Sequence, residues 1–494
     1  MKRKVRFLAI LLAGASFSAS AQETNDYSNG IIIINEDWYG HQNSTVNFLR
    51  PDETGGENWY YRIIQTENPG MELGCTNQYG AIWGNRLYLI AKQEKDPGAV
   101  VTGGRITVAN AKTMKILHQQ TQIDPSGKQC DGRGFLGVDE HKGYISTSNG
   151  IWVFDLDTYT VTGQVEGSKN PNAGGDNDRP NDDPTGALYH GQSGMMVSAA
   201  GRVFAAHQQY GLLVIDPAQD KVIDTISLEF VKENACIGSV VKAKDGSLWL
   251  SVTRNTQGTG AALDYLVRVD PATLETSVVK CPDGMYGPAN SWYAWTPDAF
   301  VASQYDNKLY FKGGKNSWFS GTKIYCYDID SGQQTLFTDL EADGENWKIY
   351  GCSLGVDPKN GEVYMSLYHE FTTPEYVTRR YSPTGEKICD YSMIRNYWFP
   401  SNMIFVDSQN SGVGSSEISE NTLSLSNRVL RVGTATAVPV CIYTPDGILV
   451  EKYNAVPGFN RFDVTLPAGM YIVRAGGMSL KTLVCLLYTS DAAD

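Results

Sequence analysis

The stretch GIWVFDLD, residues 150–157, is an apolar run that begins with glycine and ends with aspartates. This composition is typical of a β-strand that starts after one tight turn and stops at another. Clear copies of this strand, each ending in Asp, are LLVIDP at 212–217, LVRVDP at 266–271 and IYCYDID at 324–330. Weaker copies are VNFLRP at 46–51, ITVAN at 106–110 and VTRRYSP at 377–383. The chain therefore contains seven units of one repeat.

A second repeated strand precedes the first in most units. It begins at a polar turn with Gly or Asn and then alternates between two faces, as a hairpin strand does. Its copies are NRLYLI at 85–90, KGYIS at 142–146, GRVFA at 201–205, GSLWL at 246–250, NKLYF at 307–311 and GEVYM at 361–365. The units recur roughly every 45 to 60 residues, which fits a four-stranded blade with variable loops. This pattern predicts an all-β protein whose residues 30–408 form a seven-bladed β-propeller. A pair of β-sandwiches is the alternative, but it requires no such period.

Each end of the repeat carries one additional strand. One begins near Ile31, before the first weak copy, and NMIFVD at 402–407 follows the last copy. Pairing the two strands within one blade hides two sheet edges at once. We therefore expect a shared closing blade that contains Ile31 and Phe405.

The ends of the chain differ from the repeat. Residues 1–21 combine a basic start, a short apolar run and the small-x-small pattern ASA at 19–21, which predicts a cleaved signal peptide and export. An uncleaved anchor is the alternative. Residues 485–494 resemble the translation of a sequencing adaptor and are left out of the predicted fold, and a real polar tail is the alternative.

The composition limits the class of partner. Fifty glycines and 28 tyrosines favour all-β structure. A net charge of −13 argues against nucleic acid or an anionic membrane surface as partner. The cysteines before residue 485 show no paired C-x-x-C metal signature, and buried free thiols and disulfides remain equal alternatives.

The C-terminal region predicts a second domain. Residues 409–419 are rich in Ser and Gly and predict a linker, and short alternating strands over 420–484 predict a small Ig-like β-sandwich. The segments VCIYTPDG at 440–447, PGFN at 457–460 and LPAGMYIV at 466–473 resemble the type IX secretion sorting domain. That resemblance implies export across the outer membrane by the type IX secretion machinery, followed by release or surface attachment. A generic accessory sandwich is the alternative.

Aromatic residues mark a candidate ligand site. In a propeller, the loops that lead into the innermost strands gather at one mouth of the central channel. Aromatic rings there stack on flat or sugar-like ligands, and polar groups fix the orientation of the ligand. Packing between blades is the alternative for any single ring. The expected ligand-binding residues are Trp38, Tyr79, Arg133, His190, Trp292, Tyr293, Trp347, Tyr350 and Trp398.

The insertion 167–188 is a candidate cation site. Hard cations such as calcium prefer clustered carboxylates, but this loop lacks the spacing of an EF-hand. A solvated acidic loop is the alternative, and we expect no required cofactor. The candidate ligands are Asp176, Asp178, Asp182 and Asp183.

Catalytic signatures are sparse in this sequence. G-x-S-x-G, H-E-x-x-H, P-loop and dinucleotide fingerprints do not occur in a convincing context. His190, at the predicted mouth, is the runner-up catalytic residue, because a general base needs a titratable group near the ligand. A lyase or hydrolase that acts through His190 is therefore the enzymatic alternative.

The start of the propeller supplies a further resemblance. INEDWYG at 34–40 and NSTVNFL at 43–49, with the Asp-Pro strand endings, resemble the opening of a bacterial propeller family related to the YVTN, or YncE-like, repeats. The surface cobalamin-binding propellers of gut bacteria are similar to that family. The resemblance implies a secreted or cell-surface binder of a corrinoid or another bulky aromatic or glycan ligand. Those cobalamin binders are lipoproteins that cap an outer-membrane transporter, whereas no Cys follows the apolar run here, which argues against that partner. A scaffold for protein–protein contacts is a third alternative.

Overall fold

The computed structural model describes residues 25–484, except residues 53, 57, 129, 173–190, 254–261, 289–298, 315–319, 343, 371–374, 407–421, 427, 435 and 456–457. The regular secondary structure of the described residues is β-strand, apart from one short helix, α1 (Ile63–Glu67). No helix in these ranges is long and apolar enough to cross a membrane.

Seven antiparallel sheets follow one another along residues 30–406. The first contains β1 (Gly30–Asn35), β2 (Thr45–Leu49) and β3 (Trp59–Tyr60). The second contains β4 (Cys75–Trp83), β5 (Arg86–Gln93), β6 (Ile106–Asn110) and β7 (Ile116–Gln120). The third contains β8 (Gly132–Gly137), β9 (Lys142–Thr147), β10 (Gly150–Asp155) and β11 (Thr160–Gln164). The fourth contains β12 (Ser193–Ala199), β13 (Arg202–His207), β14 (Gly211–Asp216) and β15 (Lys221–Ile226).

The remaining sheets have the same order of strands. The fifth contains β16 (Cys236–Lys242), β17 (Leu248–Thr253), β18 (Ala262–Val269) and β19 (Thr276–Lys280). The sixth is built from β20 (Phe300–Ala302) and β21 (Lys308–Gly313), then, after the short strand β22 (Ser320–Gly321), from β23 (Lys323–Asp328) and β24 (Gln333–Asp339). The seventh contains β25 (Lys348–Val356), β26 (Val363–Tyr368), β27 (Tyr376–Tyr381) and β28 (Lys387–Ser392), and β22 pairs with its first strand. Strand β29 (Pro400–Val406) returns to the first sheet and pairs with β1.

These seven sheets are the blades of a propeller. The strands β4, β8, β12, β16, β20, β25 and β29 each contact the next one in this order, and β29 also contacts β4, so they form a closed ring around a central channel. The apolar core lies between adjacent blades. Val214 and Leu212 of the fourth blade, for example, share one buried cluster with Leu248, Leu250 and Val252 of the fifth. The predicted seven-bladed β-propeller is confirmed.

The repeated strand represented by residues 150–157 is the third strand from the channel in each blade. In the third blade this strand, β10, follows β9 through a tight turn, in which Gly150 pairs with Thr147. Gly150 has a φ of 84°, and a Cβ there would lie 2.7 Å from Gln164 Nε2. Only glycine adopts this conformation without strain, which explains why the repeat begins with glycine at this position.

The two unmatched strands of the sequence close the ring, as expected. Ile31 pairs with Phe405 and Ile33 with Met403, while the other edge of β1 pairs with β2. Ile31, Ile32, Ile33 and Ile34 are fully buried or nearly so. The first blade is therefore assembled from both ends of the propeller sequence, and β29 takes the innermost position in it.

Seven further strands form the C-terminal module. They are β30 (Thr422–Ser426), β31 (Val429–Thr434), β32 (Val438–Tyr443), β33 (Leu449–Ala455), β34 (Gly458–Asp463), β35 (Gly469–Ala475) and β36 (Met478–Val484). One sheet has the order β30-β31-β34 and the other β33-β32-β35-β36. Leu430 and Val432 of the first sheet share a buried core with Val440, Ile442 and Val473 of the second. Two sheets on one core make a small β-sandwich, as the sequence predicts. The predicted signal peptide, linker and adaptor-like tail lie outside the described residues.

The eight cysteines of the described part are free thiols. Five of them are buried, and burial raises the pKa of Cys130, for example, to about 12. A thiol with so high a pKa is unreactive at neutral pH, so Cys130 acts as a small side chain of the buried core.

Candidate functional site

The central channel contains a cavity of about 420 Å³. We call the end of the channel where the innermost strands begin the upper end, and the end where they stop the lower end. The wall is mainly apolar, and every innermost strand contributes to it. One residue from each strand is Tyr79, Leu136, Val197, Val241, Val301, Leu354 and Ile404.

The upper end of the channel is closed by buried side chains. In the first blade a bulge interrupts the pairing of the innermost strand β29 with β1 at this level. Five of the other six blades have a similar bulge between the innermost strand and its neighbour, so these strands carry extra residues there. A bulge re-aims the side chain that it contains. Gln78 and Arg133 lie in two of these bulges and are only 2 % and 1 % exposed. Buried side chains at this level in other blades are Ser193, Ser239, Ser353 and Ser401.

Charged groups surround this polar layer. Arg133 Nε donates a 2.6 Å hydrogen bond to Gln192 Oε1 of the next blade, and Arg133 Nη2 lies 3.8 Å from Asp131 Oδ2. Burial, together with the charge of Arg133, lowers the pKa of Lys92 to about 8. Tyr350 donates a 2.8 Å hydrogen bond to Glu36 Oε2, and burial together with this carboxylate raises the pKa of Tyr350.

Several buried polar atoms of this layer lack hydrogen-bond partners among the described residues. They are both amide atoms of Gln78 and the hydroxyl oxygens of Ser193, Ser239 and Ser353. A buried polar atom without a partner costs about 1–3 kcal/mol. Of these residues Ser239 lines the cavity, so its hydroxyl offers a hydrogen bond to a bound molecule or to ordered water.

The lower end of the channel is open. On β4, Ala81 and Trp83 are partly exposed, and so are Val197 and Ser198 on β12. A groove of about 830 Å³, formed by the third, fourth and fifth blades, lies beside this end of the channel. Ser198 and Lys242 line both the groove and the channel cavity, so the two cavities adjoin at these residues.

The predicted tryptophan residues differ in their environments. Trp347 is 7 % exposed, and its ring centroid lies 3.6 Å from that of His369. Trp398 is 1 % exposed, stacks on Tyr61 at 5.6 Å and donates a hydrogen bond to the Ile394 carbonyl. Both therefore pack inside the propeller, as does Tyr350.

Two other predicted residues have side chains accessible from solvent or from the channel. Trp38 is 37 % exposed on the loop after β1, where its ring lies against His41 and Tyr397. Tyr79 lines the channel cavity. Tyr79, expected in a loop that leads into an innermost strand, is part of strand β4, because the blade continues its pairing with β5 to Cys75.

The remaining predicted residues lie outside the described residues. This applies to His190, Trp292, Tyr293, Asp176, Asp178, Asp182 and Asp183. Within the described ranges, no group of three or more His, Cys, Asp or Glu side chains is placed to hold a metal ion.

Sequence reasoning missed Gln78, Arg202 and Lys242. Gln78 enters the channel layer through a bulge, and bulges leave no clear signal in one sequence. Arg202 and Lys242 begin or end a strand, where a cation is ordinarily a solvated surface group. Only the ring of blades places both of them on one groove.

Comparison with known proteins gives one family and several distant structures. The model of a family described as "Domain of unknown function (DUF5074)" matches residues 29–406. No curated protein matches the chain.

PorZ, a surface component of the type IX secretion system of Porphyromonas gingivalis, is 11 % identical at a TM-score of 0.45, over 89 % of this chain and 62 % of PorZ. The extracellular domain described as part of a hybrid two component system of B. thetaiotaomicron is 13 % identical at a TM-score of 0.39, over 93 % of this chain and 56 % of that one. A chain of the mitotic checkpoint complex is 12 % identical at a TM-score of 0.40, over 87 % and 96 % of the two chains. This chain thus spans less than two thirds of the first two structures, and likeness at this level says nothing about a ligand or partner.

Proposed function

This chain belongs to the DUF5074 family, and from that premise we propose that it is a secreted or cell-surface propeller that binds a small ligand in its central channel. The observation that carries the proposal is the cavity to which all seven innermost strands contribute. A pocket with an apolar wall and a few convergent polar groups is the usual form of a ligand site.

Two features support this location. The wall is rigid, because each innermost strand is hydrogen-bonded within its blade and packed against two other innermost strands. The buried hydroxyl of Ser239 lines the cavity without a partner among the described residues, so a ligand gains a hydrogen bond there.

The cavity volume favours a ligand smaller than a corrinoid. About 420 Å³ lies near the lower end of the range of roughly 300–1,000 Å³ for small-molecule pockets. A corrinoid or a glycan remains a hypothesis for the upper surface around Trp38, where an exposed ring is available for stacking.

The experiment is a ligand panel on the mature protein, read by thermal shift and calorimetry. The panel contains small apolar and amphiphilic compounds, glycans and cyanocobalamin. A ligand present at 100 times its Kd stabilises the folded protein by about 2.7 kcal/mol.

Two variants of the fourth blade locate the binding. Met195→Trp fills the channel from β12, whereas Ile223→Trp adds the same ring on the exposed outer strand β15. We expect Met195→Trp to abolish binding and Ile223→Trp to leave it unchanged. Equal binding by both variants, or no binding by any compound, contradicts the channel as the ligand site.

The export route is a separate part of the proposal. The likeness of residues 440–473 to sorting domains supports delivery to the cell surface by type IX secretion machinery. Deletion of residues 407–494 should leave the propeller in the periplasm, while the full chain reaches the cell surface or the medium. Fractionation of the two cultures, with the same signal peptide, tests this.

The enzymatic alternative keeps its own test. Turnover of any panel compound that is lost in His190→Ala supports a lyase or hydrolase. Turnover that survives this substitution contradicts catalysis through His190.

A further inference from the structure

The groove at the lower end of the channel has an unusual charge balance for a protein with a net charge of −13. Four basic side chains line it, and two of them are engaged. Lys142 Nζ lies 2.9 Å from Asp220 Oδ1, and Arg268 Nη2 lies 3.7 Å from Asp245 Oδ2. The other two, Arg202 and Lys242, form no ion pair with a described residue.

The acidic side chains of the groove are held by their own turns. Asp139 accepts hydrogen bonds from the backbone N–H groups of His141 and Lys142, both at 2.8 Å. Asp270 accepts them from the N–H groups of Ala272 and Thr273, at 2.8 and 3.0 Å. These backbone hydrogen bonds also lower the pKa of Asp270. Carboxylates fixed in this way stabilise the hairpins and do not reach across the groove to the two cations.

The Asp245 carboxylate is occupied in a similar manner. It accepts a 2.9 Å hydrogen bond from the Ser247 N–H and a 2.5 Å bond from the Ser247 hydroxyl, in addition to its contact with Arg268. Burial alone raises the pKa of Asp245, but these hydrogen bonds outweigh it and the net shift is downward. The groove therefore presents two cations whose charge no described carboxylate neutralises.

Lys242 is the link between this charge and the apolar channel. It is the last residue of innermost strand β16, and with Ser198 it lines both the groove and the cavity. Val241, the preceding residue, belongs to the apolar wall. A molecule that extends from the cavity into the groove thus passes from apolar side chains to an ammonium group within one strand.

We infer that the channel takes an amphiphilic organic anion, whose apolar body lies among the innermost strands and whose acidic group is bound by Lys242 and Arg202 at the lower end. This inference rests on the proposed function, because it names the class of ligand for the same channel. The apolar body replaces water along the wall, which contributes about 25 cal/mol for each Å² buried. The acidic group forms charge-assisted hydrogen bonds with the two cations.

The probes are decanoate and 1-naphthoate, compared with the neutral 1-decanol and 1-naphthalenemethanol, on the mature full chain. The variants are Lys242→Gln, Arg202→Gln, the double variant, and the channel-filling Met195→Trp. The backbone pairing of Lys242 and Arg202 is retained in the glutamine variants, so the blades remain intact. Thermal melting without ligand verifies this.

We expect both carboxylates to bind at least about tenfold more tightly than their neutral counterparts, since a hydrogen bond to a charged group contributes about 1.5–3 kcal/mol. Each glutamine variant should lose most of this preference and leave the binding of the alcohols unchanged. Binding of decanoate should also weaken at high ionic strength. Met195→Trp should abolish the binding of carboxylates and alcohols alike.

The failures of the two proposals are distinguishable. Alcohols that bind as tightly as the carboxylates, with no effect of the glutamine variants, overturn the anion inference and leave the channel function standing. Carboxylates that still bind to Met195→Trp show a surface site and overturn the inference as well. If neither class of probe binds, the inference is wrong, and the wider ligand panel decides the proposed function.

Discussion

Ile31 and Phe405 face each other as register partners in the first blade, although they come from opposite ends of the propeller sequence. This pairing joins β1 to the innermost strand β29 and completes the ring of seven blades. Ring closure is what creates the channel, because the cavity wall includes residues of β29 beside those of β4 and β25.

The closing strand should be essential for the propeller. Deletion of residues 400–494 removes β29, exposes the edge of β1 and uncovers its isoleucine side chains. Each large apolar side chain that loses its packing costs about 2–5 kcal/mol, so we expect the variant to aggregate and to lose its cooperative unfolding transition.

Deletion of residues 407–494 keeps β29 and is the matched control, with an unchanged melting temperature of the propeller. Differential scanning calorimetry and gel filtration compare the two. Equal melting of the two truncations would contradict a closing role for β29.

Two tryptophan residues of the candidate site should differ in their effect on stability. Trp398 is 1 % exposed, and Trp398→Ala should lower the free energy of unfolding by about 3–5 kcal/mol through lost packing. Trp38 is 37 % exposed, and Trp38→Ala should lower it by less than about 1 kcal/mol. Urea unfolding followed by circular dichroism measures both. A similar loss in the two variants would show that Trp398 is not a core residue. Any change in ligand binding by Trp398→Ala must therefore be corrected for the fraction of unfolded protein.

Acid should destabilise the propeller through His207. This side chain is fully buried, and burial lowers its pKa from 6.5 to about 3. Between these values the unfolded chain binds a proton that the folded protein does not, so stability falls as pH decreases below 6.5. The slope is up to about 1.4 kcal/mol per pH unit.

A variant isolates this contribution. His207→Asn keeps an acceptor for the Gln209 N–H, which bonds to His207 Nδ1 at 3.2 Å, and removes the titrating ring. We expect a smaller loss of stability between pH 6.5 and pH 4.5 in this variant than in the native protein, measured by urea unfolding at each pH. Parallel pH profiles of the two proteins would exclude His207 as the cause.

Much of the fold was predictable because its signals are local. The run of residues 150–157 carries a turn glycine, an apolar strand and a terminal aspartate within eight positions, and the structure has a third strand there. Similar local patterns predicted the third strands near Leu212 and Ile324 and the strands of the C-terminal sandwich. The closing pair was predictable as well, since an unmatched strand at each end of a repeat has few other partners.

The candidate site was predictable only in part. The sequence indicates that aromatic residues precede the innermost strands, but it does not tell whether a ring faces solvent or a neighbouring blade. Trp38 and Trp398 look alike in the sequence, yet one is exposed and the other is buried against Tyr61. Tyr79 was chosen as a loop residue and instead lines the channel as part of a strand.

The sequence by itself determined the number of blades, the strands within them and the way the ring closes, because hydrophobic alternation and turn chemistry act over a few neighbouring residues. The tertiary structure alone decided which end of the channel is closed and which side chains meet there. Gln78 and Ser239 reach the same polar layer, and Arg202 and Lys242 the same groove, from strands far apart in the chain. Such meetings depend on strand bulges and on the rotation from one blade to the next, and neither leaves a pattern along the sequence.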